Sequence, residues 1–165
     1  MKWRFFHRLP EVDVQIKLCE QTFNPWQEIQ AYQDGLSGLA GKFGATSVFV
    51  GSMRDFNQGD GISNMFLEHY PGMTEKQLEQ IVEQAQSQWQ LLESLVIHRI
   101  GSVKPEDVLV LVAVWSVHRG DAFDASRFIM ENLKSRAPFW KKETLASGQE
   151  RWVGKNTDGY HQHPN

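Results

Sequence analysis

The sequence predicts an α+β fold: a mixed, largely antiparallel sheet with packed helices, arranged as a two-layer sandwich. Several short runs rich in β-branched residues are interspersed with two long stretches of helical periodicity. These strands and helices do not follow the strict alternation that a wholly parallel sheet requires. The chain has 165 residues, which is the length of one compact domain.

The first elements are a strand and a short helix. In residues 12–19 apolar side chains alternate with polar ones, which is the period of a half-buried strand. Asn24 followed by Pro25 indicates a helix start, because Asn can cap free backbone N–H groups and Pro lacks one. We expect this helix to continue to about Tyr32. The glycine-rich segment 36–44 matches no known phosphate-binding motif, so a turn is favoured over a phosphate cradle.

Two further strands and the clearest helix follow. Residues 45–50 and 62–69 predict buried strands, joined by a polar, glycine-rich loop. Thr74 with Gln77 forms a capping box at the start of an apolar stripe with helical spacing. We therefore expect a helix over residues 74–95 that packs its stripe on the sheet.

The remaining elements are a hairpin, a second long helix and a short strand. Residues 96–103 and 108–117 are β-branched runs joined by a polar connection that contains a proline. A helix is predicted over residues 121–136. It should stop before Pro138, which cannot donate the next backbone hydrogen bond and disfavours helical geometry in the residue before it. Residues 148–154 predict one short strand.

Composition excludes several classes of protein. The formal net charge of −3 argues against broad electrostatic attraction to nucleic acid or to anionic membranes. No stretch reaches about 18 apolar residues, and the N-terminus has no apolar run with a small-residue cleavage site. We therefore expect a soluble, cytoplasmic protein.

The chain has a single cysteine, Cys19, which excludes an internal disulfide and a thiolate-rich metal site. The alternation of the first strand places Cys19 on its wetter face. A catalytic thiol is conceivable there, but no histidine stands close in sequence to activate it, so a bystander is favoured. Among the histidines only His161 and His163, in the polar tail, have metal-ligand spacing, and a metal is the weaker interpretation there. We expect neither a metal nor a cofactor.

The most informative segment is NLKSRAPFWKKE. Lys134 ends the predicted helix, and Lys141 follows after the break at Pro138, which lets the chain fold back and bring the two amines together. Two close amines repel and desolvation disfavours charge, so one of them could have a lowered pKa and act as base or nucleophile. The helix C-terminus favours a protonated Lys134, so Lys141 is the candidate for deprotonation. The alternative is that both lysines are solvated surface charges.

Further cations follow the predicted strands. Arg54 comes after a strand ending in GSM, and His118 with Arg119 comes after the run VAVWSV. If these side chains converge with the two lysines, they form a site for a phosphate or a carboxylate-like terminus. Taken singly, each is more often a surface ion-pair partner. His98 and Arg99, within a predicted strand, are interpreted as structural.

Several segments resemble the large subunit of molybdopterin synthase, in order and with compatible spacing, from about residue 12 to residue 153. The patterns LEHYPGMT and LKSRAPFWKKE are long and unusual, and they carry most of the specificity. The resemblance divides the chain into an N-terminal extension (1–11), a molybdopterin synthase large-subunit domain (12–153) and a polar C-terminal tail (154–165). The other matching runs are FNPWQEIQAYQ, GATSVFVGSMRDFNQGDGI, VIHRIGSV, VAVWSVHRGDAFDASRFIMEN and RWV.

The resemblance implies an enzyme, a sulfurtransferase of molybdenum cofactor biosynthesis. In that family the large subunit forms a homodimer and binds two small ubiquitin-like subunits, giving a heterotetramer. Each small subunit carries a C-terminal thiocarboxylate, and two sulfurs pass in turn to cyclic pyranopterin monophosphate to form the dithiolene of molybdopterin. By motif, the resemblance implies that Lys134 and Lys141 are catalytic. It implies substrate contacts at Ser52, Met53, Arg54, His118, Arg119, Lys134, Lys141, Lys142 and Glu143.

A partner's thiocarboxylate would explain how a sulfur-transfer enzyme works without a catalytic cysteine. The chain departs from the family pattern at Lys142, where some relatives are expected to have arginine. The rival interpretation is a non-catalytic binding module, for a ubiquitin-like partner or for single-stranded nucleic acid, since RAPFWKK and RW place aromatic residues beside cations. The negative net charge weighs against nucleic acid. Which lysine is the base or acyl acceptor, and which residues come from the other subunit, stay open at this point.

Overall fold

The computed structural model describes residues 14–154. The predicted N-terminal extension (1–11), the His161/His163 pair and the predicted tail apart from Gly154 lie outside the described residues. Within residues 14–154 the elements are, in order, β1 (Val14–Cys19), α1 (Pro25–Gly35), a short 3₁₀ helix (Ser37–Leu39), β2 (Ala45–Ser52), β3 (Phe56–Asn57), β4 (Asp60–His69), α2 (Met73–Gln88), β5 (Leu91–Arg99), β6 (Gly101–Val103), β7 (Val108–Ser116), α3 (Arg119–Arg136), β8 (Phe139–Leu145) and β9 (Glu150–Trp152).

The strands form two sheets. The four-stranded sheet has the order β1-β5-β7-β2, in which β1 and β5 are parallel and the other pairs are antiparallel. The second sheet has the order β3-β4-β8-β9, and β6 also pairs with β4, all in antiparallel fashion. The predicted α+β class with a mixed, largely antiparallel arrangement is confirmed.

The four-stranded sheet is covered by helices on both faces. On one face, Leu78 of α2 and Ile129 of α3 belong to a buried cluster with Val112 of β7. On the other face, Tyr32 of α1 packs against Trp115, so α1 adds a cover to the two predicted layers. Because both faces are buried, β5 and β7 are continuous apolar runs rather than alternating ones. None of the helices in the described part of the chain is long and apolar enough to cross a membrane.

The first helix begins where the sequence predicts. The side-chain oxygen of Asn24 accepts hydrogen bonds from the backbone N–H groups of Trp26 (3.0 Å) and Gln27 (3.3 Å). These bonds satisfy donors that have no partner within the helix. The helix extends past Tyr32, and the predicted turn that follows it contains the 3₁₀ helix.

The start of α2 differs from the prediction. The helix begins at Met73, and the backbone N–H of Gly72 donates to the carboxylate of Glu75 at 2.7 Å. The predicted capping box of Thr74 and Gln77 is therefore wrong. Thr74 is instead a buried residue of the first turn.

Three predicted elements have another form. Residues 91–95, predicted as the end of a helix, belong to β5, because a buried strand and a buried helix are equally apolar and periodicity does not separate them. The strand β2, predicted to be buried, lies at the edge of its sheet and exposes Val48 and Phe49. The predicted loop after β2 forms the hairpin β3-β4, whose turn residues Gln58 and Gly59 have φ angles of 52° and 88°.

The turn after α3 is held by α2. Ala137 is extended, with ψ of 133°, and Pro138 follows it, so the helix ends as predicted. The hydroxyl of Thr74 donates to the carbonyl of Pro138 (3.4 Å) and accepts from the backbone N–H of Tyr70 (3.1 Å). The chain then enters β8, a strand that the sequence did not predict.

Candidate functional site

The two candidate lysines lie where α3 ends and β8 begins. Lys134 is half-buried in the last turn of α3. Lys141 is half-buried in β8, where it pairs with Leu67 of β4. The positive charge of Lys134 acts on the pKa of Lys141, so the two ammonium groups are near each other. The structure therefore brings together the two lysines that the break at Pro138 was predicted to bring together.

The surroundings of Lys141 favour deprotonation of its amine. Burial is the main cause that lowers its pKa below the usual lysine value, and the positive charge of Lys134 lowers it further. The negative charge of Glu143 opposes both effects. A lowered pKa increases the neutral fraction of the amine, which is the form that acts as base or nucleophile.

A buried imidazole, that of His98, lies next to the two lysines. The imidazole of His98, in β5, stacks on the ring of Phe139, with centroids 3.9 Å apart and 13° between the planes. Its Nδ1 lies 2.6 Å from the carbonyl oxygen of Arg99; because that oxygen only accepts, Nδ1 carries the hydrogen. Burial lowers the pKa of His98 to about 4, the hydrogen bond to Arg99 opposes the shift, and the charge of Lys141 adds to it. His98 is therefore neutral at pH 7.

Glu143 uses its carboxylate within the chain. The side chain is buried, one oxygen accepts from Nδ2 of Asn57 (2.6 Å) and the other from Nε of Arg151 (3.0 Å). Arg151 also donates to Asp60 (2.6 Å). Since alternate residues of a strand share a face, Glu143 lies on the face of Lys141. Its charge acts on the lysine amine, while its oxygens are engaged by internal partners.

Lys142 lies on the opposite face of β8. Its amine is 3.2 Å from the carboxylate of Glu150 and 5.9 Å from the ring centroid of Trp152. This face also exposes Trp140, which lines an open groove of about 360 Å³ together with Trp152 and Tyr70. Lys142 is therefore separate from the amine pair, although it is adjacent in sequence.

The segment predicted at the end of β2 lies partly in the core. Ser52 and Arg54 are exposed, and the guanidinium of Arg54 lies 5.0 Å from the ring centroid of Phe56. The side chain of Met53 is buried in a cluster with Leu67, the residue that pairs with the second lysine. Arg54 thus extends from the part of the core that underlies β8.

His118 and Arg119 lie at the other end of α3 from Lys134. His118 is the N-cap residue, Arg119 is the first helical residue, and both are exposed. The helix rises about 22 Å between residues 119 and 134, which are fifteen steps of 1.5 Å apart. A single copy of the chain does not bring these two cations to the lysine pair, so the predicted convergence of all the cations is not found within one chain.

Cys19 faces the side of the sheet that α1 covers. It shares its face of β1 with the exposed Gln15 and Lys17, so its predicted position on the wetter face is confirmed, although its own side chain is half-buried at the edge of the cluster around Trp115. Burial raises the pKa of the Cys19 thiol, against the opposing charges of Arg99 and Lys17. A protonated thiol is a poor nucleophile, which agrees with the bystander interpretation. Within residues 14–154, no group of three or more His, Cys, Asp or Glu residues is arranged to hold a metal ion.

Sequence reasoning missed the residues that support the pair. His98 and Arg99 were interpreted as structural, and both are buried. Nothing in the sequence indicated that His98 lies beside Phe139 and Lys141, because these residues are far apart in the chain. The partners of Glu143 were also missed, since they come from the β3 hairpin and from β9.

We expect Lys134→Ala to raise the pKa of Lys141. The substitution removes a nearby positive charge, while burial, the larger cause of the lowered pKa, remains. The pKa should therefore rise but stay below the usual lysine value. NMR titration of ¹³Cε-labelled lysine measures it, with Lys76→Ala, an exposed lysine of α2, as the control. An unchanged Lys141 titration in Lys134→Ala would show that the two amines do not interact.

We also expect His98 to destabilise the folded protein in acid. Its pKa is about 4 when folded against 6.5 as the ordinary value, so as pH falls the unfolded chain takes up the proton first. The stability that the neutral ring contributes is complete above pH 6.5 and is lost between 6.5 and about 4, by about 3 kcal/mol in total. The phenyl ring of His98→Phe cannot titrate, so the variant should lose less stability on acidification. Urea unfolding at pH 7 and pH 4.5 measures the difference, and identical losses in both proteins would contradict the expectation.

The chain is similar to known proteins in both sequence and structure. A family model described as MoaE protein matches residues 20–136. A molybdopterin synthase catalytic subunit from Ralstonia nicotianae is 53% identical over 138 residues, covering 84% of this chain and 76% of the relative. One from Haemophilus ducreyi is 56% identical over 110 residues, covering 67% and 72%. The solved structure of a molybdopterin biosynthesis MoaE protein from Burkholderia ambifaria is 41% identical with a TM-score of 0.71, covering 89% of this chain and 94% of that one.

Proposed function

Because the chain belongs to the MoaE protein family, we propose that it is the catalytic subunit of a molybdopterin synthase. The enzyme is a sulfurtransferase of molybdenum cofactor biosynthesis and works in the cytoplasm. Its sulfur comes from the C-terminal thiocarboxylate of a small ubiquitin-like partner subunit. The acceptor is cyclic pyranopterin monophosphate, which becomes the dithiolene-bearing molybdopterin.

The observation that carries this function is the buried amine of Lys141 beside Lys134. The only cysteine of the chain is a half-buried residue with a raised pKa, which does not suit it to carry sulfur. A transfer enzyme of this kind needs sulfur from a partner and a group that cleaves the partner from it. A neutral amine in a sheltered place meets the second requirement.

The chemistry proposed for Lys141 follows from the bond that must break. Once the partner's thiocarboxylate sulfur has displaced an oxygen leaving group from a side-chain carbon of the pterin, a thioester joins the two, and its carbonyl carbon–sulfur bond must be cleaved. The neutral Lys141 amine can attack the carbonyl carbon, leaving sulfur on the pterin and a transient amide on the partner, which water then hydrolyses. Alternatively it accepts the proton of an attacking water. In both cases the ammonium of Lys134 stabilises the negative charge that develops on the carbonyl oxygen.

The cations outside the pair are proposed to bind the pterin's phosphate. Arg54 would act from the same chain, and His118 with Arg119 from a second copy, because they lie about 22 Å along α3 from Lys134. Phe123 and Val117, beside these two cations, are 65% and 42% exposed, which suits a surface that a second subunit covers. The assembly is then a homodimer with two small subunits, a heterotetramer.

The remaining residues of the predicted site take other roles in this proposal. Ser52 is exposed and free of the core, so it can contact the substrate directly. Met53 and Glu143 are buried within the chain, so they position the neighbouring Arg54 and Lys141. Lys142 lies on the outer face of β8, where it can contact the partner subunit but not the amine pair.

Reconstitution with purified components tests the function. The chain is mixed with its small partner bearing a C-terminal thiocarboxylate and with cyclic pyranopterin monophosphate, and dithiolene formation is measured. The matched control is the same partner with an ordinary carboxylate, which should give no product. Absence of product with the thiocarboxylated partner would overturn the proposal. Pterin binding by the chain without its partner separates a catalytic subunit from a scaffold, which needs no pterin site.

A further inference from the structure

We propose that His98 is a positioning residue for Lys141, because its imidazole supports Phe139 and thereby holds the start of β8, with the lysine amine, in its buried place beside Lys134. The inference rests on the proposed function only in taking Lys141 as the catalytic amine. No part of it requires His98 to touch the substrate.

The rings of His98 and Phe139 are in direct contact. The imidazole and the phenyl ring are stacked at 3.9 Å with 13° between their planes, which is closer and more nearly parallel than the Tyr32–Trp115 and Trp89–Phe128 pairs. Phe139 is the first residue of β8, and it stands two residues before Lys141. Side chains two residues apart in a strand share a face, with about 6.6 Å between their Cα atoms. The ring that His98 supports is therefore the immediate neighbour of Lys141 on the inner face of β8.

The position and the ring orientation of His98 are themselves fixed by the surrounding structure. It lies in β5 between two neighbouring strands, opposite Leu18 of β1 and Val110 of β7. Its Nδ1–H donates to the carbonyl oxygen of Arg99 at 2.6 Å, which sets the orientation of the ring. A buried ring in the interior of the sheet, held by a hydrogen bond, is a rigid support for a residue that follows a turn.

The turn before Phe139 is also held by α2. The hydroxyl of Thr74 donates to the carbonyl of Pro138 at 3.4 Å, which ties the turn to α2. The turn is thus anchored to α2 at Pro138 and to β5 at Phe139. Around Lys141, the charged and titratable groups that act on its amine or are acted on by it include Lys134 from α3, Glu143 from β8 and His98 from β5. Because the imidazole of His98 is neutral at pH 7, it supports Phe139 without adding a third positive charge beside Lys134 and Lys141.

Four variants of the full-length protein, assembled with the partner subunit for the rate measurements, test the inference. His98→Ala removes the supporting ring, and Phe139→Leu removes the ring that it supports. His98→Phe keeps the stack and loses only the hydrogen bond to Arg99. Phe128→Leu is the matched control: Phe128 packs against the same core cluster as Phe139 and also has an aromatic partner, Trp89, at 5.3 Å.

Two readouts distinguish positioning from a general structural role: the pKa of Lys141, from ¹³Cε NMR titration, and the separate kcat and KM for the pterin. In His98→Ala and Phe139→Leu we expect the pKa of Lys141 to rise toward the usual lysine value, because water reaches the displaced amine. We expect kcat to fall by roughly 10- to 100-fold, as a misplaced catalytic group does, with little change in KM. His98→Phe should keep the low pKa and most of kcat, and Phe128→Leu should match the wild type.

Each outcome decides the question. If His98→Ala fails to fold, as judged by circular dichroism, Phe139→Leu and His98→Phe carry the test. If folded variants without the stack keep the wild-type pKa of Lys141, the inference is overturned. If the pKa rises in those variants while Lys141→Ala itself retains turnover, His98 does position the amine, and it is the proposed catalytic role of Lys141 that fails.

Discussion

Lys141→Ala should reduce molybdopterin formation by about 10²- to 10⁴-fold, the range for loss of a general acid–base group, without unfolding the protein. The amine is half-buried and its pKa is lowered by burial and by Lys134, so its removal deletes the amine that we propose to act in its neutral form while relieving a repulsion. Single-turnover assays with preloaded thiocarboxylated partner and saturating pterin measure the loss. Circular dichroism confirms the fold.

Lys141→Arg is the informative companion variant. Arginine keeps a positive charge of similar reach but stays protonated at all relevant pH values, so it can neither accept a proton nor attack a carbonyl. We expect it to be as inactive as the alanine variant. Lys76→Ala, an exposed lysine on α2, should retain wild-type turnover. Near-wild-type turnover in either Lys141 variant would remove this residue from the mechanism.

A mixed dimer of one Lys141→Ala chain and one His118→Ala/Arg119→Ala chain should recover about half of the wild-type activity at limiting pterin, although both parent homodimers are strongly impaired. In one chain these cations lie about 22 Å from Lys134 along α3, so we propose that each complete site takes them from the other copy. One of the two sites in the mixed dimer is then intact. Co-expression with two affinity tags and tandem purification isolates the mixed dimer.

The structure supplies a matched control for this experiment. Lys134 and Lys141 act on each other within one chain, so a mixed dimer of Lys134→Ala and Lys141→Ala has no intact site and should recover nothing. Recovery in this control would mean that the two lysines function from different chains. Failure of the first mixed dimer to recover activity would mean that His118 and Arg119 do not act across the dimer.

Arg119→Ala alone should chiefly weaken pterin binding.

Much of the fold could be predicted because its signals are local. Asn24 and Pro25 define a helix start within two residues, and Pro138 defines a helix end, whatever the rest of the chain does. The run 108–117 is β-branched and apolar enough to indicate a strand on its own. In each case the deciding interaction lies within a few residues.

The strand β8 was missed for a reason connected to function. Its inward positions after Phe139 are occupied by Lys141 and Glu143, so the apolar alternation that identifies a strand is absent. Local rules tend to fail where a site requires polar residues in place of apolar ones. The polar residues that obscure the strand pattern, Lys141 and Glu143, are also residues of the candidate site.

The candidate site was predictable only in part. The break at Pro138 predicted that two lysines close in sequence would approach each other, and the charge of Lys134 does act on the amine of Lys141. The neighbours that tune them were not predictable, because His98 reaches the site through the pairing of β5 and Asn57 through the β3 hairpin. The separation of Arg119 from the lysines follows from the length of α3, which the structure extends by two residues beyond the predicted start, to Arg119.

We propose that the neutral amine of Lys141 performs the sulfur-transfer step, and the most direct test compares two titrations. The single-turnover rate of dithiolene formation is measured against pH, and the pKa of the Lys141 amine is measured by NMR in the same buffers. We predict that the rate rises with pH around the pKa of that amine, and that both midpoints move together to higher pH in Lys134→Ala, because the lost positive charge no longer lowers the pKa. The proposal would be contradicted if the rate does not change over the pH range in which Lys141 titrates. It would also be contradicted if the pH midpoint of the rate stays in place in Lys134→Ala.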